Sequence, residues 1–169
     1  GIWLGLLFVF ALITAFALEG YKSVIDNWLW LMAFIPLVIS SGGNSGSQSA
    51  TLIITALSRG HISLGDWARV VSRELVMGLL LGGALAILGL LASFFIIPAN
   101  AGIGIAGMMV IPITLLAVVV CGTLTGSILP LIFQKIGWDP AMMSTPFVAG
   151  IVDILGILIY VNLARQVLS

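Results

Sequence analysis

Five apolar stretches follow one another along this 169-residue chain, each long enough to cross a bilayer. They run roughly from Ile2 to Leu18, Trp28 to Leu57, Leu75 to Ile97, Ile103 to Phe133 and Ala141 to Leu163. A hydrocarbon core about 30 Å thick takes about 20 helical residues to span, so the pattern predicts an all-α, polytopic membrane protein with five crossings. The second and fourth stretches are long enough to be tilted or broken. Only 7% of the residues are charged, against about a quarter in an average soluble domain, which supports the same class. The six basic and six acidic residues balance, which argues against nucleic acid or any other polyanion as partner.

Basic residues in short loops set orientation. Arg59, Arg69 and Arg73 follow the second stretch and Lys135 the fourth, while Lys22 and Arg165 lie on the opposite side. The bias predicts a cytoplasmic N-terminus and an outside C-terminus in the cell membrane. Trp3, Trp28, Trp30, Trp67 and Trp138 all fall near predicted span ends, as expected of indoles anchored at the interface. Between them, Ser58–Glu74 is the one long polar stretch; Ser63 followed by Asp66, Trp67, Val70 and Val71 predicts a short capped, amphipathic interfacial helix.

Inside the last stretch, Pro146 to Leu163, sits Asp153 with no basic residue in the same span. An ionised carboxylate at that depth costs a few kcal/mol or more, so it calls for a wet cavity or a cation. Ala149 and Ile157 lie one turn away, Thr145 a further turn back, and Gly150 and Gly156 at i−3 and i+3. Asp153 therefore lies on a mostly small face that water or another backbone can approach. Two readings stand side by side: a cation site, or an acid hydrogen-bonded between helices.

The second stretch changes character after Pro36. Ser40 to Thr51 carries no large apolar side chain, and Gly-rich polar backbone at membrane depth is tolerated only where protein or water covers it. Pro36 and Gly42-Gly43 predict a kink or local unwinding, and Asn44, Gln48 and Thr51 share one face that would wet a passage. Thr123, Thr125 and Ser127 make a weaker version of the pattern; their hydroxyls are equally able to bond back to their own helix. Gly78, Gly82 and Ala86, like Gly122 and Gly126, have the small-residue spacing of helix–helix seams.

One carboxylate, several neutral oxygens and no buried Lys or Arg describe a route for a hard cation. Magnesium keeps its waters and needs few direct ligands; calcium asks for six to eight oxygens, and soft metals for Cys, His or Met clusters. Cys121 is alone in an apolar run and reads as a small core residue, and His61 as a solvated loop residue with no second ligand nearby. Ser, His and Asp converge in no catalytic spacing, so no enzyme is expected. Two Asp153 carboxylates facing each other at about 8 Å and a dielectric near 20 repel by about 2 kcal/mol, which a divalent cation between them relieves.

Pro36 with Gly42 to Ile53 (GGNSGSQSATLI), the Asp139-Pro140-Ala141 turn, and Pro146 to Tyr160 (PFVAGIVDILGILIY) resemble the membrane domain of the MgtE family of magnesium channels and transporters. The resemblance extends over essentially all of residues 1–169. It implies a homodimer of five-helix protomers, with the pore at the dimer interface lined by the second and fifth helices. It implies that Asp153 and the Ala149 carbonyl hold a hydrated Mg2+, with Mn2+, Co2+ or Ca2+ as other candidates for the same site. Asn44, Gln48 and Thr145 would line the pore, and Asp139 would lie near its cytoplasmic mouth. Ser47 and Thr145 depart from the family's usual Asn and Asn or Gly. Family members also carry cytosolic N-terminal and CBS domains, so the start at Gly1 leads us to expect a piece of a longer chain. The competing expectations are a proton- or sodium-coupled carrier using Asp153 as relay, and a membrane anchor in which Asp153 only joins helices.

Overall fold

The computed structural model describes residues 1–98 and 100–168, leaving aside the side chains of Met143 and Ser144. The chain runs through α1 (Ile2–Gly20), α2 (Lys22–Asn27), α3 (Leu31–Ser58), one 3-10 turn (Leu64–Asp66), α4 (Trp67–Ile96), α5 (Ile105–Met108), α6 (Val110–Lys135) and α7 (Pro140–Leu168). No strand occurs among the described residues.

Four segments are long and apolar enough to cross a membrane: Ile2–Gly20, Leu64–Ile96, Ile105–Lys135 and Thr145–Leu168. The remaining long helix, α3, has the length but not the hydropathy. It contains no charged residue; its Gly, Ser, Asn and Gln dilute the apolar ends.

Helix α6 is the centre of the bundle. It packs against α3, α4 and α7, and α3 and α7 also pack on each other, while α1 leans on α7 from outside. Trp30, Leu31 and Phe34 of the α3 end, Ile111 and Leu115 of α6, and Ile157 and Tyr160 of α7 share one buried cluster. At the opposite end Ile53 of α3, Val70 of α4 and Leu131 of α6 form another. Arg59, just past α3, Arg69 and Arg73 in the first turns of α4, and Lys135 at the end of α6 are therefore gathered at one end. Tyr160 fastens the first end by donating to the Leu31 carbonyl at 2.9 Å.

Several expectations need correction. Helix α3 is continuous across Pro36 and Gly42-Gly43, with no unwound segment. The reason lies in its neighbours: a Cβ at Gly42 would come 2.5 Å from Val118 of α6 and 2.8 Å from Val152 of α7, so both glycines of the Gly42/Gly46 face are needed bare and are clamped in helical form. The polar stretch after Arg59 forms no separate amphipathic helix. The Ser63/Asp66 capping box is present, but it starts a 3-10 turn that feeds directly into α4, eight residues before the predicted third span. Trp30 is no interfacial anchor: it is buried, edge-on to Phe34 at 6.1 Å. The fourth apolar stretch is divided at Met109 into α5 and α6.

The small-residue seams do pack. Cβ atoms at Gly78 and Gly82 would press on Val120 and Leu116 of α6, and one at Gly122 would come 2.6 Å from the Gly42 carbonyl oxygen. In a membrane such close backbone approach replaces the missing hydrophobic drive between helices.

Candidate functional site

Polar residues on α3 divide by face. Gly42, Ser45, Gly46 and Ser49 are buried against α6, α7 and α4, whereas Ser40, Asn44, Gln48 and Thr51 are exposed. The hydroxyls on this free face are largely satisfied within the helix: Thr51 donates to the Ser47 carbonyl at 2.9 Å, and Ser40 accepts from Asn44 Nδ2 at 3.1 Å. The Gln48 amide and the Asn44 carbonyl oxygen make no hydrogen bond among the described residues, so they stay available to water or a hydrated ion.

Two hollows flank this strip. An open groove of about 480 Å³ is lined by Asn44, Ser47, Gln48, Thr51 and Leu52. A second, of about 340 Å³, reaches from Asn44 and Gln48 toward Leu81 and Leu85 of α4.

The Asp153 carboxylate of α7 stands at the edge of the same strip. It is partly buried, and a Cβ built on Gly43 would meet its Oδ1 at 3.5 Å. Glycine at 43 thus lets α3 pass close to the acid without covering it. No hydrogen bond or ion pair to Asp153 occurs among the described residues.

Its small neighbours are partly taken up by packing. Gly150 is covered by Phe10 of α1, and Gly156 lies 3.4 Å, measured from a built Cβ, from Val118.

The other predicted residues are distributed along the same two helices. Ala149 is partly buried one turn before Asp153, with its carbonyl inside the continuous helix α7, and Thr145 is exposed a turn earlier. Asp139 is about 20 Å from Asp153 along α7, by the helical rise. Its carboxylate accepts from the Ala141 N–H at 2.9 Å, capping the helix that Pro140 begins. It also lines a notch of about 150 Å³ with Ser58 and Gln134. Thr123 and Ser127 are buried and donate to the carbonyls of Val120 and Leu124, so they belong to packing and not to the groove.

Sequence reasoning missed Glu74. This acid is only 5% exposed on α4 and accepts a 2.6 Å hydrogen bond from Ser49 Oγ of α3, while the Thr123 hydroxyl of α6 lies 3.3 Å from its backbone carbonyl oxygen. The signal was available: Val70, Glu74, Gly78 and Gly82 recur every fourth residue, and all four are buried.

The sequence profile of the MgtE family, described as a divalent cation transporter, matches residues 35–163. The chain is 36% identical over 168 residues to a protein of Thermus thermophilus named magnesium transporter MgtE, covering 99% of this chain and 36% of that protein. It is 29% identical over 164 residues to the Enterococcus faecalis protein of the same name, covering 97% and 35%, and 30% identical over 162 residues to that of Bacillus subtilis, covering 96% and 35%. The chain thus spans about a third of the length of these relatives. With a matching profile over most of its length and several membrane-crossing helices, this multi-pass membrane protein belongs to the MgtE family of divalent cation transporters.

Proposed function

We infer that the chain is the membrane-embedded pore of a magnesium transporter, and that hydrated Mg2+ passes between two copies of it. The observation that carries this is the uncovered polar strip of α3 with the Asp153 carboxylate at its edge. Lipid tails offer no partner for Asn44, Gln48 or a carboxylate, so in a bilayer this face calls for water or further protein to cover it, which a second protomer would supply. The names of the relatives supply the ion.

In this reading α3 is the fifth crossing and, with α7, lines the pore. Asp153 from each copy attracts the ion, aided by the Ala149 carbonyl, while Asn44, Gln48 and Thr145 bond to its water shell. Mg2+ loses water reluctantly, so a wide groove with few direct ligands suits it, and Mn2+, Co2+ or Ca2+ would compete at the same carboxylates. Asp139 lies at the cytoplasmic mouth. The basic end of the bundle faces the cytoplasm, which puts the N-terminus inside and the C-terminus outside the cell membrane. The protein moves an ion and performs no covalent chemistry.

The test is flux into liposomes loaded with a magnesium-sensitive dye. Asp153→Ala should reduce Mg2+ entry at least tenfold, the equivalent of about 1.4 kcal/mol of lost ion stabilisation. Undiminished flux through Asp153→Ala in well-folded protein removes the site. Flux that requires a proton or sodium gradient removes the passive pore.

A further inference from the structure

At the basic end of the bundle α4 and α6 part, leaving a groove of about 460 Å³ whose walls include Leu64, Trp67 and Val71 on one side and Ile128, Ile132 and Lys135 on the other. The 3-10 turn supplies Leu64 to this lining, and within it Ser63 and Asp66 cap each other, with the Ser63 N–H donating to Asp66 Oδ2 at 2.9 Å. Trp67, first residue of α4, is 61% exposed at the rim. Lys135 is the one charged residue of the lining.

Its ammonium has no ion-pair partner among the described residues. Arg69, in the first turn of α4, is engaged by Asp66 at 3.3 Å. Lys135 also complements the carbonyl end of α6, but that role needs neither a groove nor an indole beside it.

We propose that this groove binds one anionic phospholipid of the surrounding bilayer. An acyl chain lies along Trp67, Val71, Ile128 and Ile132, and the headgroup phosphate meets the Lys135 ammonium. The occupant follows from placement and charge. A hollow lined by aliphatic side chains between membrane helices is filled by acyl chain, because water there would find no hydrogen-bond partners. A Trp and a Lys at the rim match the depth of the headgroups, where an indole and a snorkelling ammonium both have one apolar and one wet end. A basic residue at such a site favours a net negative headgroup over a zwitterionic one by about five-fold. The site is separate from the α3/α7 strip and does not depend on the ion-conduction reading.

Trp67 is a built-in probe. The protein is reconstituted in phosphatidylcholine vesicles containing either brominated phosphatidylglycerol or brominated phosphatidylcholine, and indole quenching is recorded for the parent and for Trp67→Phe, whose difference isolates Trp67. Brominated phosphatidylglycerol should reach half-quenching at about five-fold lower mole fraction than brominated phosphatidylcholine. Lys135→Gln should bring the two curves together, while Arg73→Gln, on the other face of α4, should not. Equal quenching by the two lipids in the parent, or a preference that survives Lys135→Gln, overturns the proposal. So does loss of the preference on adding excess inorganic phosphate, which would mark the groove as a site for free phosphate. Circular dichroism of each variant separates lost binding from lost folding.

Discussion

Glu74 and Asp153 are both acids within helices of the bundle, and their surroundings give them opposite work. Glu74 is closed in, and its carboxylate oxygen accepts a 2.6 Å hydrogen bond from the Ser49 hydroxyl. That bond joins α3 to α4, two helices that otherwise touch little and meet mainly through α6. Asp153 lacks such a partner and lies beside bare glycine backbone. Ser49→Ala should therefore lower stability by about 1 kcal/mol, in the range measured for side-chain hydrogen bonds between membrane helices. Asp153→Asn should change it by less than about 0.5 kcal/mol, as a residue whose charge serves something other than packing. Unfolding in mixed micelles with a denaturing detergent reads both; the reverse ranking would mean that Asp153 holds the fold and Glu74 does not.

Among the elements, α3 is the one whose sequence misleads. Read alone, Pro36, Gly42-Gly43 and a run of Ser and Asn describe a broken helix, since each Gly costs about 1 kcal/mol of helix propensity relative to Ala. The helix holds because its glycines are where α6 and α7 come closest, information that lies in Val118, Gly122, Val148 and Val152 and not in α3 itself. The same tertiary logic made the α4 seam readable, because Gly78 and Gly82 recur with the helical period, yet hid Glu74, which reads as the end of a polar loop until α4 is known to begin at Trp67. Two glycine substitutions separate packing from propensity. A Cβ at Gly126 would fall on the Gly46 carbonyl of α3, so Gly126→Ala should destabilise by about 1–3 kcal/mol, the usual cost of overpacking. Gly83 on α4 has nothing within 4 Å, so Gly83→Ala should be neutral or stabilising by up to about 1 kcal/mol. Thermal or detergent unfolding of the pair checks this; equal effects would mean that α3 and α6 are not in backbone contact.

For the whole molecule, the uneven distribution of polar surface is the decisive feature. The face of α4 that turns away from α6 exposes Leu80, Leu88 and Phe95, suited to lipid, whereas α3 exposes Asn44, Gln48 and Thr51. The apolar stretches and the basic loops made the bundle and its charged end legible from the sequence. The polar face of α3 was legible too, in the spacing of Asn44, Gln48 and Thr51, which are exposed; the packing of Gly42 and Gly46 was not, because it depends on Val118 and Gly122 of α6 and Val148 and Val152 of α7. If a second protomer covers the strip, residues there approach their own copies across a two-fold axis, and residues on the outer face of α4 do not. Cys121→Ala removes the single native thiol and leaves a background for introduced cysteines. In membranes, Thr51→Cys on that background should be converted largely to covalent dimer by a short bifunctional thiol reagent, and Leu88→Cys should remain monomeric. Dimer formed equally at both positions would reflect random collision, and dimer formed only at Leu88→Cys would turn the bundle around, placing α4 at the axis and leaving Asp153 without a partner.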